Sequence, residues 1–188
     1  RLWDGVHEAA REGVDILVVD NRIKEIGPRG AFDGRGARLV DAKSLTVTPG
    51  MFDMHNHQQL RSKYLGDRQG RAWLAYGVTA TRSTGDAVYR ALEDKEALES
   101  GDRVGPRHFM TGEMFEGTRV EWDFARPVYS QRQLELDLSR AEALGYDVIK
   151  TYVRFPFDSQ AKVIDRAHSR MGISVTSHYL YPGVVHAQ

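Results

Sequence analysis

The sequence predicts an α/β fold: an incomplete (β/α)8 barrel of about five βα units, preceded by a small β-sandwich part. Three observations carry this expectation. Residues 14–48 are short, β-rich runs broken by turn residues. Beyond Pro49-Gly50, strand-like runs alternate with longer helical patterns. The first of these later strands ends in histidines, where a doubly wound fold would carry a glycine-rich phosphate turn.

In the first segment, Val14 to Val19 leads through Asp20-Asn21 into Ile23 to Ile26, and Asp-Asn between two apolar runs is a hairpin signal because both residues tolerate left-handed backbone. Arg38 to Ala42 and Leu45 to Thr48 read as further short strands. The proposed division is 1–48, a small β-rich segment, and 49–188, the amino-terminal portion of the barrel. Strands are expected at 51–56, 78–83, 107–111, 147–153 and 173–178, and helices at 67–76, 86–100, 130–144 and 158–170. Ser130-Gln131-Arg132-Gln133 has the form of a capping box. Gly101, Gly145 and Gly172 supply the helix stops. A closed barrel needs eight strands and typically about 250 residues, so these units leave the sheet open.

Composition excludes several function classes. With 26 Lys+Arg against 26 Asp+Glu, the chain has no basic excess for a nucleic-acid partner or an anionic membrane surface. The basic run from Leu60 to Arg71 reads as a solvated loop and helix start. No stretch approaches the ~20 apolar residues of a membrane helix. The lack of Cys removes disulfides, thiolate nucleophiles and Cys-based metal sites, and leaves the redox compartment undecided. The chain opens at Arg1 without a signal-peptide pattern and reads as a piece of a longer protein.

Chemistry concentrates in three places. In Met51-Phe52-Asp53-Met54-His55-Asn56-His57, strand alternation puts Asp53, His55 and His57 on one face and Phe52 and Met54 on a packing face. Two imidazoles at i and i+2 can grip one metal ion, with Asp53 as an acceptor that orients a ligand; the bland alternative is a hydrogen-bonded pair at a strand end. Lys150, one of only six Lys, lies inside the apolar strand Val148 to Val153. Burial there depresses an amine's pKa, so it could form a Schiff base, serve as a base or add carbon dioxide; the bland alternative is a snorkelling or ion-paired Lys. His178 closes the fifth barrel strand, with Thr176 as its same-face neighbour. Tyr152, Arg82 and Glu113 lie near strand ends and remain open between substrate contact and packing. His168 reads as solvated, His108 as lying at the wrong end of its strand, and His7 as preceding the folded pattern.

The run Val47 to His57, followed by Lys150 and His178 in that order, resembles the amidohydrolase superfamily of metal-dependent hydrolases. Gly77 to Arg82 and Gly105-Pro106-Arg107 resemble its imidazolonepropionase-like, TolB-associated subgroup. The resemblance implies His55, His57, Lys150 and His178 as metal ligands, with Lys150 carboxylated and catalytic. It implies one or two divalent ions, zinc first, and hydrolysis of an amide or cyclic-amide C–N bond in a small-molecule substrate. Ser83 stands where the subgroup often has Asp. The family's sixth-strand His and eighth-strand Asp have no counterpart here, since His186 follows His178 too closely. The resemblance therefore also implies that this chain is inactive by itself. The alternative is a non-catalytic half-barrel, a binding or remnant module. Open sheet edges imply a homo-oligomer.

Overall fold

The computed structural model describes residues 1–57 and 66–178, which divide into two compact units, Arg1–Gly50 and Met51–Gln188. In the first, β1 (Val14–Val19) and β2 (Arg22–Pro28) form an antiparallel hairpin. Its turn is made by Asp20 and Asn21 at φ 47 and 61, the left-handed pair that the hairpin signal requires. The strands expected at 38–42 and 45–48 do not form. Leu39 and Val40 are 79% and 76% exposed, and Val47 makes only a single bridge to Leu2, which also bridges Arg11. The sandwich part is thus one hairpin and two bridges among the described residues. A β-prone run becomes a strand only where another strand accepts its hydrogen bonds.

The second unit alternates as expected. It runs through β3 (Met51–Asn56), α1 (Gly66–Ala75), β4 (Val78–Ser83), α2 (Val88–Ser100), β5 (Arg107–Phe109), β6 (Phe115–Glu116), β7 (Arg126–Pro127), α3 (Gln131–Ala143), β8 (Val148–Thr151), α4 (Phe157–Arg166) and β9 (Ser174–Ser177). All pairings are parallel, in the orders β3-β4-β5 and β7-β6-β8-β9. This is a partial (β/α)8 barrel.

The expected third strand, 107–111, ends early, since β5 covers 107–109 and pairs with β4; β6, a two-residue strand beyond a bend and outside the expected range, pairs with β8. Gly112 makes the bend at φ 55, with the Tyr146 ring where a Cβ would stand. The Met110 carbonyl accepts from the backbone of Asp147 and Val148 (2.8 and 3.3 Å), and the Asp147 carboxylate takes the Met110 N–H (2.8 Å), so the two sheets run on as one arc. The fourth helix also departs from expectation. Its α-helical part stops at Arg166, and Ala167–Met171 is a π-helical turn that closes at Gly172 in the left-handed region.

The core lies between the later strands and α2, α3 and α4, where Met110, Leu134, Leu138, Ile149, Val163 and Ala167 are fully buried. β8 is buried along its whole length, whereas β3 is mostly open. Phe52 and Met54 do not face a packed layer: they are 44% and 51% exposed, with Phe52 stacked on Phe109 at 5.4 Å. β3 has only β4 beside it among the described residues, and half a sheet cannot cover its first strand.

Candidate active site

Each candidate residue stands at the carboxyl end of the parallel sheet because its strand ends there. Asn56 at the end of β3 is in register with Ser83 at the end of β4, and Lys150 on β8 with Thr176 on β9. His55 is central: its ring lies 5.6 Å from that of His57 and 5.4 Å from that of His178 (centroid to centroid). The edge of Tyr152 meets His178 at 5.0 Å, and Lys150 Nζ stands 5.9 Å from the Tyr152 ring centroid. The structure thus brings together His55, His57, Lys150 and His178. His186 lies outside the described residues.

Hydrogen bonds set the tautomer of His57. Its Nδ1 lies 3.0 Å from the Gly85 carbonyl, which can only accept, so Nδ1 carries the proton and Nε2 the lone pair. The Thr84 hydroxyl donates to that Nε2 at 3.3 Å. A carbonyl bound to one imidazole nitrogen while the other keeps its lone pair is the arrangement that orients metal-binding histidines. Asp53 does not reach an imidazole; its Oδ1 accepts from the His55 backbone N–H at 3.1 Å and stiffens the strand end.

Lys150 is 1% exposed, and among the described residues its Nζ makes no hydrogen bond; His178 Nδ1 is likewise buried and without a partner among them. Burial, with Arg82 as a lesser cause, pulls the Lys150 amine down to about 8. Burial first, and then the positive charge of Lys150, hold His55 and His178 below the usual imidazole value. Both shifts favour the neutral form of His55 and His178. Among the described residues, no three His, Cys, Asp or Glu side chains are yet disposed around one point that could hold an ion. His57 Nε2 is engaged by Thr84 instead.

The remaining candidates separate cleanly. Glu113 is held by Arg140 and faces Arg126, so its carboxylate is engaged in an ion-pair cluster. His108 is buried against Thr81 at 3.1 Å, and burial lowers it to about 4. His168 is exposed, and His7 bonds to Asp4. Sequence reasoning missed Thr84 and Gly85, which orient His57, and the aromatic pair Trp122 and Phe124 beside Tyr152. Their one available signal was position, just beyond the carboxyl ends of strands.

A partial barrel with its polar cluster at the carboxyl ends of the strands has the layout of a (β/α)8 enzyme. Sequence relatives and structural neighbours together support the amidohydrolase superfamily for this chain. A dihydroorotase from Geobacter sulfurreducens is 52% identical over 163 residues, covering 73% of this chain and 38% of the relative. A dihydroorotase from Geotalea daltonii is 50% identical over 46 residues, covering 24% of this chain and 11% of that one. Among solved structures, a putative prolidase from Bifidobacterium longum superposes with a TM-score of 0.79 at 20% identity, covering 93% of this chain and 46% of that one. A prolidase complexed with N-methylphosphonate-L-proline gives 0.77 at 21% identity, covering 92% and 53%. These structural likenesses speak for the fold. The chain spans 38% of the length of the first of these curated relatives. No family profile matches the sequence.

Proposed function

We propose that the chain is part of a metal-dependent hydrolase of amide or cyclic-amide C–N bonds, in which His55, His57, His178 and Lys150 hold one or two divalent ions, zinc first. The observation that carries this reading is the meeting of three imidazoles with a buried, hydrogen-bond-free lysine at the carboxyl end of a parallel sheet. Imidazole nitrogens suit zinc, and the orphaned Lys150 Nζ and His178 Nδ1 are buried polar atoms in need of a partner. A bound divalent ion would serve as the Lewis acid for carbonyl polarisation and water activation.

The chain's own residues supply the rest. The Gly85 carbonyl and the Thr84 hydroxyl keep His57 in one tautomer. Burial favours the unprotonated form of His55 and His178. The Lys150 amine, once neutral, can add carbon dioxide: its nitrogen bonds to the carbon, one proton leaves, and the resulting carbamate offers oxygen donors in place of a strained ammonium. The names of the relatives put a cyclic amide such as dihydroorotate first among substrates and an Xaa-Pro dipeptide second.

Metal analysis of the purified chain, with hydrolysis of both substrates followed in parallel, tests the reading. Stoichiometric zinc that is lost in His55→Ala and His178→Ala is expected. A chain that stays metal-free in excess zinc overturns it. One observation favours a second reading, a non-catalytic half-barrel module: His57 Nε2 is already satisfied by Thr84, and no three-ligand cluster is formed among the described residues. That reading predicts weak metal binding and no turnover in the same experiment.

A further inference from the structure

The segment 117–125 leaves the carboxyl end of β6, the end of the sheet where the histidines stand, and leads into the parallel strand β7. It carries two aromatic rings, Trp122 and Phe124, stacked at 5.9 Å and 24°. Trp122 donates its indole N–H to the Tyr152 hydroxyl at 3.3 Å, and the Tyr152 ring in turn meets His178. Phe124 stands 3.4 Å from where a Cβ on Gly85 would be, and the Gly85 carbonyl holds His57. One stacked pair is therefore linked to His178 through Tyr152 and to His57 through Gly85, the two outer histidines of the row His57–His55–His178. The segment is also built to stay in place. Glu116, fully buried, accepts from the Glu121 backbone N–H at 2.9 Å and from Arg154 at 3.2 Å, while Arg126 N–H bonds to the Met114 carbonyl at 2.7 Å. Both rings are only partly buried, leaving aromatic surface open beside the polar cluster.

We propose that Trp122 and Phe124 form an aromatic wall that receives a planar, apolar substituent next to the scissile amide, and so set substrate specificity. This rests on the hydrolase reading for the identity of the site, and it names the substrate class that the site prefers: amides bearing an aromatic or flat apolar group. The open aromatic surface gains dispersion contact and loses water when such a group stacks on it, whereas a methyl group covers too little of it to gain the same. Tyr152 acts as a positioning residue, fixing the indole through its hydroxyl while its ring rests on His178.

The test is ligand binding, measured by NMR on the metal-free chain with benzamide and acetamide as probes. Benzamide is expected to bind about tenfold more tightly than acetamide. It should shift the Trp122 indole N–H resonance, assigned by its loss in Trp122→Phe, while acetamide leaves it in place. The double variant Trp122→Ala, Phe124→Ala is expected to lose the preference, and Trp122→Phe, which keeps a ring, to retain most of it. No preference in the parent chain, an indole signal indifferent to benzamide, or a preference that survives in the double variant each overturns the proposal. The indole shift needs no destabilising substitution, so it decides the matter even if the double variant does not fold. Because no metal is present, a chain that prefers benzamide yet never binds zinc refutes the hydrolase reading alone.

Discussion

Asp86 is 2% exposed, and among the described residues neither of its carboxylate oxygens makes a hydrogen bond of ordinary geometry. Burial pushes it up to about 7, offset in part by the nearby Ser83 hydroxyl. Its folded-state value lies above the unfolded one, so the folded chain holds this proton more tightly. Its contribution is fully present at low pH and is lost as pH rises towards and through about 7. At about 1.4 kcal/mol per tenfold change in proton affinity, the cost at pH 8 is on the order of a few kcal/mol. Asp86→Asn should therefore raise the melting temperature at pH 8 and change it little at pH 4, as read by calorimetry; an equal effect at both pH values would refute this. His108, lowered to about 4, works in the opposite sense, adding stability as pH rises from about 4 to its unfolded value of 6.5, but it cancels in a comparison of parent and variant. Lys150 is a sharper case of a buried group kept at a cost. Lys150→Met should stabilise the metal-free chain by about 1–3 kcal/mol, because the desolvated amine has no hydrogen-bond partner, and should abolish zinc binding. A denaturant midpoint that falls in Lys150→Met would show that the amine is satisfied.

At the scale of elements, the start of α3 was legible in detail. Ser130 Oγ accepts from the Gln133 N–H at 3.2 Å, as the capping box requires, although the Gln133 side chain reaches back to the Tyr129 N–H and the Pro127 carbonyl (3.2 and 2.8 Å). Ser130→Ala should cost about 1 kcal/mol and lower the melting temperature by roughly 2–4 °C; an unchanged transition would mean that Gln133 holds the helix start alone. The Asp20-Asn21 turn was legible for the same reason, since both signals arise within a few residues. The bend after the third strand was not. It depends on Tyr146, more than thirty residues away, standing over Gly112 and donating no space for a side chain there. The failure of 38–42 and 45–48 to form strands is likewise a question of partners, which a run of β-prone residues does not report.

For the molecule as a whole, the open arc exposes β3 on one side and ends at β9 on the other among the described residues. Unpaired strand edges beside the exposed Met51, Phe52 and Met54 favour association, so the isolated chain should run as a dimer or larger in light scattering. A clean monomer across the micromolar range would refute this. By itself, the sequence determined the alternation of strands and helices, the hairpin, the helix stops and the order His-x-His, Lys, His, because periodicity, turn chemistry and spacing are local. Only the tertiary structure decided that His55 stands between His57 and His178, that Gly85 and Thr84 fix the tautomer of His57, and that Lys150 is buried without a partner. It likewise decided that Glu113 belongs to an ion-pair cluster and that Trp122 bonds to Tyr152, whose ring meets His178. Each of these depends on which strand ends meet, and that follows from burial of the shared core rather than from any short stretch of residues.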